Sequence, residues 1–425
     1  MVSDGMSRGV PGLATMFAQA VGRPTTAWDR LMGDPRTISG QFDMASLDSP
    51  VPDSAAAASS WGSGHRVSNR SINILPEGKV CSALCGLIRA TGRRTGLITT
   101  ARVTHATPAG FAAAVPHRDY EDDIAPQYLG TVDVLMGGGS CYFDPLYRLD
   151  GQDLVGRFRQ AGYTVATKSG SLDGLRPGAK VLGLFDIDHL PYVIDQQHDP
   201  ASAGRPSLAV MTRAALRALN GGPGFFLMVE GARIDHAAHL NDTAGLLWEQ
   251  LAFDDALAVA LDFCADQPDT LLVVTTDHGN AGPVLNGMGT DYAESGDLFG
   301  RLVRFRESVG HFLEWARSPR KHPPAVLAAR LDQATGIAFQ PDEVAALARL
   351  LGGQSVPEWN SQHRRIEGIL GQIVGNYTGI GWTGTSHTAE PAPLLAIGPA
   401  SPRFHGPLRN TDFFHLVSEF WTLAR

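Results

Sequence analysis

Cysteine is scarce in this chain. Its 425 residues hold four, Cys81, Cys85, Cys141 and Cys264, with neither zinc-ribbon spacing nor the density of a disulfide scaffold. Cys81 and Cys85 would stand one helical turn apart, which suits two buried thiols better than a bridge. Long apolar runs are missing too. Hydrophobic residues make up 43% of the chain, ample for a core, yet no stretch approaches the roughly 18 residues of a membrane span. Positive charge is in deficit, at a net −8, and no polybasic block occurs, which argues against a nucleic-acid surface. There is no internal repeat and no low-complexity tract beyond residues 55–58. No signal peptide leads into Met1. Residues 1–5 read as the last part of a strand entering a glycine turn, shorter than a usual strand. The expectation is that residues upstream of Met1 are missing from the sequence.

What is present alternates as α/β folds do. Residues 13–21 and 81–90 read as helices, and so does the run that starts at Ser54, where four alanines favour a helix. Residues 72–75, 96–100, 132–136, 180–185, 271–276 and 394–397 read as strands, the third ending in Gly137-Gly138-Gly139. Residues 281–380 look different: helical, charged and without strand-like runs, an insertion that would cover the site. Phe305, Phe312 and Trp315 within it read as core rather than as an exposed gate.

One stretch organises the rest. Residues 225–229 form a short apolar run after a Gly/Pro turn, as a buried parallel strand does. At its end stand Glu230, Asp235, His236 and His239. In open α/β sheets ligands gather at the carboxyl ends of strands, and Asp235 and His239, four apart, share a helix face. Taken alone, this would equally describe a helix N-terminus with solvent-facing histidines. A second apolar strand, however, ends in Asp277-His278-Gly279, and a third loop, Gly384-Thr385-Ser386-His387-Thr388, offers another imidazole. With Asp4 at its glycine turn, the carboxylates and imidazoles form a mixed N/O donor set without sulfur. Such donors suit zinc where histidine dominates and magnesium where oxygen dominates.

These motifs, in this order, resemble the alkaline phosphatases: Asp4-Gly5-Met6, then Asp53-Ser54-Ala55-Ala56, then Glu230-Gly231 running to Ile234-Asp235-His236 and His239, then Asp277-His278-Gly279, and last Ser386-His387-Thr388. The resemblance spans almost the whole chain, apart from the 281–380 insertion. It implies a three-layer α/β/α sandwich with a central, mostly parallel sheet, residues 1–425 forming a single domain. It also implies a metal-dependent phosphate monoester hydrolase of broad substrate range.

By the same resemblance, Ser54 is the nucleophile that becomes a phosphoserine, at a helix N-terminus that favours an anion. One zinc would be held by Asp4, Asp277 and His278, and a second by Asp235, His239 and His387. A third cation would sit with Asp4, Thr107 and Glu230; magnesium is expected there, with zinc left open. His105 and His236 would lie behind the metals and tune them. Arg118, eleven residues after Thr107, would grip two phosphate oxygens with its planar fork, oriented by Asp53. Thr107, Glu230 and Arg118 favour a monoesterase over the superfamily's phosphodiesterases, and the Ser54 setting is not that of a sulfatase. The other alternative is an inactive relative that binds zinc or phosphate without turnover. Phosphate monoesters and inorganic phosphate are the expected ligands. A homodimer and a periplasmic or secreted location are further expectations.

Overall fold

The computed structural model describes residues 1–318, 322–354, 361–363 and 365–423. Its strands in chain order are β1 (Val2–Ser3), β2 (Ile38–Asp43), β3 (Arg94–Arg102), β4 (Val134–Gly138), β5 (Tyr163–Ala166), β6 (Lys180–Leu184) and β7 (Phe225–Gly231). They continue with β8 (Leu272–Thr275), β9 (Gly279–Asn280), β10 (Val284–Leu285), β11 (Ile380–Gly381), β12 (His387–Thr388), β13 (Ala392–Ile397) and β14 (Gly406–Arg409). Ten of them form one sheet in the order β14-β2-β13-β8-β1-β7-β3-β4-β6-β5. Only β13 runs antiparallel to its neighbours.

Neighbouring residues on the central strands enter different cores. Ile98, Val181, Val229 and Leu395 face one cluster; Leu97, Leu182, Met228 and Leu394 face the other. Strands buried on both faces read as unbroken apolar runs, which is why these were visible in the sequence. The first core takes the helices Val10–Ala20, Leu208–Leu219 and Thr243–Asp266. The second takes Ser54–Ser63, Leu84–Ala90, Ala106–Ala112 and Asp412–Phe420. The result is the three-layer α/β/α architecture.

Several expectations need correction. Residues 72–75 form no strand, only isolated bridges from Ile72 to Val115 and from Ile74 to Val80. The helix expected over 81–90 begins at Leu84, so Cys81 lies outside it; both thiols are free and buried. β2, β5 and β14 were not anticipated. β2 reads Ile-Ser-Gly-Gln-Phe-Asp, too polar for an apolar-run signal, and its Gly40 is needed because a β-carbon there would stand 2.3 Å from the Phe404 carbonyl oxygen. β14 carries Pro407, tolerated because the strand lies at the sheet edge. The 281–380 segment is mainly helical, but it is not free of strand. β10 and β11 pair antiparallel, Val284 with Gly381 and Leu285 with Ile380, closing its neck. Phe305 and Phe312 are buried there, and the half-buried Trp315 packs against the core.

Candidate metal-dependent active site

The sheet order assembles the site. β1 lies between β7 and β8 and is parallel to both, Val2 being level with Glu230 and with Thr275. Three strand ends therefore deliver Asp4, Glu230 and Asp277 side by side. β12 pairs with β9, His387 opposite Asn280, which stacks the His387 ring on that of His278 at 3.6 Å between centroids. The turn after β1 must be glycine: Gly5 has φ +68, and a β-carbon there would meet Asp235 Oδ1 at 2.6 Å.

Asp277, Glu230 and Asp235 each commit one oxygen to the scaffold. Asp277 Oδ1 accepts the Gly5 and His278 backbone N–H groups, while its Oδ2 has no hydrogen-bond partner. Glu230 Oε2 accepts from the Thr99 hydroxyl at 2.6 Å, while Oε1 is unpartnered. Asp235 Oδ1 is held by Asn280 Nδ2 at 2.6 Å. Both oxygens of Asp4 and the Thr107 hydroxyl are buried without a partner. Orphaned buried oxygens are costly, and this many together fit the donor set of a bound cation.

The imidazoles fit the same reading. His239 Nδ1 donates to the Thr385 carbonyl at 2.8 Å, and His387 Nδ1 donates to the Pro52 carbonyl at 2.9 Å. Both Nε2 lone pairs are thereby turned inward, 3.0 Å apart, at 3.5 and 3.6 Å from the Asp235 oxygens. His278 Nε2 lies 3.2 Å from Asp277 Oδ2, 3.7 Å from Asp4 Oδ1 and 3.3 Å from Ser54 Oγ. Three donor groups, Asp235/His239/His387, Asp4/Asp277/His278 and Asp4/His105/Glu230, each have ligand atoms within 4.8 Å of one another.

Electrostatics record the strain. Burial, followed by repulsion from Asp277, Asp235 and Glu230, pushes the Asp4 carboxyl well above the usual carboxylate range. Burial also pushes Glu230 up to about 7. At Asp235 burial acts upward too, but the imidazoles of His239, His387 and His278 outweigh it and hold the group low. Burial and then His278 push His387 down to about 4.

Ser54 is the first residue of its helix, and the cap is Asp53, whose Oδ1 accepts the Ala56 N–H. The serine hydroxyl is therefore not used for capping. Asp53 Oδ2 receives Arg118 Nη1 at 2.9 Å, and Arg118 Nη2 donates to His105 Nε2 at 3.0 Å. The rings of His105 and His236 stand edge to face at 5.5 Å, and Arg233 donates to His236 Nδ1 at 2.7 Å. Every site residue expected from the sequence is thus brought to one place. Thr99, Asn280 and Arg70, which hold Glu230, Asp235 and Asp53, were missed. Asn280 directly follows the Asp-His-Gly motif and could have been suspected. Thr99 sits inside an apolar strand and gives no signal.

A wound α/β sheet whose central strand ends gather orphaned carboxylates and inward-turned imidazoles beside a serine defines the class: an enzyme that works with bound cations. The family model for alkaline phosphatase matches residues 1–297. Alkaline phosphatase 4 of Bacillus subtilis (strain 168) is 31% identical, over 98% of this chain and 87% of its own length. Streptomycin-6-phosphate phosphatase of Streptomyces griseus is 35% identical, over 67% of this chain and 74% of its own. The crystal structure of Thermus thermophilus alkaline phosphatase superposes with a TM-score of 0.91 at 32% identity, covering 98% of this chain and 89% of that one. The chain belongs to the alkaline phosphatase family. It is a phosphatase of a metal-dependent family, and among the described residues no helix is long and apolar enough to cross a membrane.

Proposed function

We propose that the chain hydrolyses phosphate monoesters through a phosphoserine at Ser54, with two zinc ions and one magnesium ion. The observation that carries this reading is the set of unpartnered buried atoms beside Ser54: Asp4 Oδ1 and Oδ2, Thr107 Oγ1, Glu230 Oε1 and Asp277 Oδ2. Asp4, Asp277 and His278 would hold one zinc, Asp235, His239 and His387 the other. Asp4, Thr107 and Glu230 would hold the magnesium. Bound there, the cations lower the pKa of hydroxyl groups and neutralise charge on the attacking and leaving oxygens.

The chain's own groups do the positioning. Arg118, held by Asp53, grips two non-bridging oxygens of the substrate phosphate. Ser54 Oγ gives up its proton to solvent and forms its bond to phosphorus as the bond to the leaving oxygen breaks on the far side, that oxygen taking a proton from solvent. The helix N-terminus under Ser54 favours the resulting anion. Water then cleaves the phosphoserine, releasing phosphate and restoring the hydroxyl.

At the third position, where zinc is the alternative, the tautomers of the nearby imidazoles favour magnesium. A guanidinium has no acceptor, so His105 Nε2 accepts from Arg118 and its proton lies on Nδ1. His236 Nδ1 likewise accepts from Arg233, placing its proton on Nε2. Neither imidazole then offers a free lone pair, and oxygen donors remain, as magnesium prefers.

Acid quenching during turnover, followed by peptide mass spectrometry, tests the mechanism: phosphate should be found on Ser54 and be absent from Ser54→Ala. A turnover-competent enzyme with no phosphorylated Ser54 would overturn it. We further read 1–425 as one domain with 281–380 as an inserted cover, and expect export and homodimer formation, to be checked by fractionation and by mass in solution.

A further inference from the structure

Arg70 stands in the left-handed region at φ +72, where a β-carbon crowds the backbone and glycine is the usual occupant. Its backbone is tied to both members of the phosphate grip. The Arg70 N–H donates to Asp53 Oδ1 at 3.1 Å, and its carbonyl accepts the Arg118 N–H at 2.7 Å. Glycine would make both bonds with less strain. What glycine lacks is the guanidinium.

That guanidinium lies at the surface on the side chains of the two residues that flank Arg118. Its side chain is 56% exposed, Nε donates to His117 Nε2 at 2.6 Å, and Nη2 donates to Asp119 Oδ2 at 3.0 Å. Asp119 is itself 65% exposed, so its hold is weak and an incoming anion can compete with it. Asp53, which accepts the Arg70 backbone N–H, already holds Arg118 with its other oxygen. The backbone bonds thus fix Arg70 against the backbone of Arg118, while its guanidinium is held only by the surface partners His117 and Asp119, which an anion can displace.

We propose that Arg70 is a specificity-determining residue whose guanidinium receives a second anionic group, a phosphate or carboxylate, carried on the far part of a substrate such as a sugar bisphosphate. The inference rests on the phosphomonoesterase reading and narrows its substrate class.

The test compares kcat and KM for fructose 1,6-bisphosphate and fructose 6-phosphate at low ionic strength, in the wild-type enzyme, R70G and R70K. R70G keeps the positive φ and both backbone bonds, so its melting temperature should not fall. The wild type should prefer the bisphosphate. R70G should lose about fivefold of that preference, through KM rather than kcat, and R70K should keep most of it. The difference between wild type and R70G should shrink as salt screens the contact. An unchanged preference in R70G, or an equal loss on both sugars, would overturn the proposal. Hydrolysis of neither sugar phosphate by the wild type would overturn the phosphomonoesterase reading, and this inference with it.

Discussion

Asp53 caps the helix that begins at Ser54 with one oxygen and holds Arg118 with the other, so the proposed nucleophile and the proposed phosphate grip share one carboxylate. Ser54→Ala should lower turnover by at least about a thousandfold while zinc content, measured by elemental analysis, is retained. Near-normal turnover would remove Ser54 as the nucleophile. Arg118→Ala deletes charge-assisted bonds worth about 1.5–3 kcal/mol, so the inhibition constant for inorganic phosphate should rise about 10- to 100-fold with little change in melting temperature. Unchanged phosphate inhibition would show that Arg118 does not grip the anion. Much of this was legible. Ser54 and the seven Asp, Glu and His metal-ligand candidates stand in motifs whose residue types and order match the family, and Arg118 was placed only by its spacing of eleven residues from Thr107. The residues that aim them were not. Thr99 and Arg70 act through one hydrogen bond or one backbone angle, and nothing in their neighbours advertises either.

Among the elements, two helices made of small residues bring Ser54 and Thr107 together. The helix Ser54–Ser63 is buried along its whole length, and it crosses Ala106–Ala112 so closely that a β-carbon on Gly62 would stand 1.9 Å from the Gly110 carbonyl oxygen. The obstacle is backbone, which cannot swing aside. Gly62→Ala should therefore cost about 1–3 kcal/mol of stability, read by chemical denaturation, and should also raise KM by parting the two site-bearing helices. A variant as stable and active as the wild type would show that the crossing can relax. The alanine run was read correctly as a helix; that it packs on all sides was not, because small residues on every face leave no amphipathic stripe. β1 shows the complementary case. Two residues, Val2 and Ser3, sit at the centre of a ten-stranded sheet, and only the Asp-Gly turn behind them marked the strand. β2 and β14 stayed hidden because polar and proline residues blunt the apolar signal near a sheet edge.

At the scale of the whole molecule, the buried acids tie stability to cations and to pH. Without cations, Glu230 has a folded pKa of about 7 against an ordinary 4.5. Its contribution is fully present below 4.5 and is lost as pH rises through 7, about 3 kcal/mol in all. His387 acts in the opposite sense. With a folded pKa of about 4 against 6.5, its contribution is present above 6.5 and lost as pH falls through 4. The two largely offset each other in the chelated protein. Cation binding breaks that balance, because it requires the Glu230 proton to leave and finds His387 already neutral. The gain in melting temperature on adding zinc and magnesium to chelated protein should accordingly be larger at pH 8 than at pH 5.5. An equal gain at both would contradict the proposed role of Glu230 as a cation ligand.

The central claim is tested most directly by turnover of an aryl phosphate monoester against the matching diester at mildly alkaline pH. Both are run after dialysis against chelator and again after reloading with zinc and magnesium. The account predicts fast monoester cleavage that disappears with the cations and returns with them, and weak diester cleavage throughout. A preference for the diester, or monoester cleavage indifferent to the chelator, would contradict it.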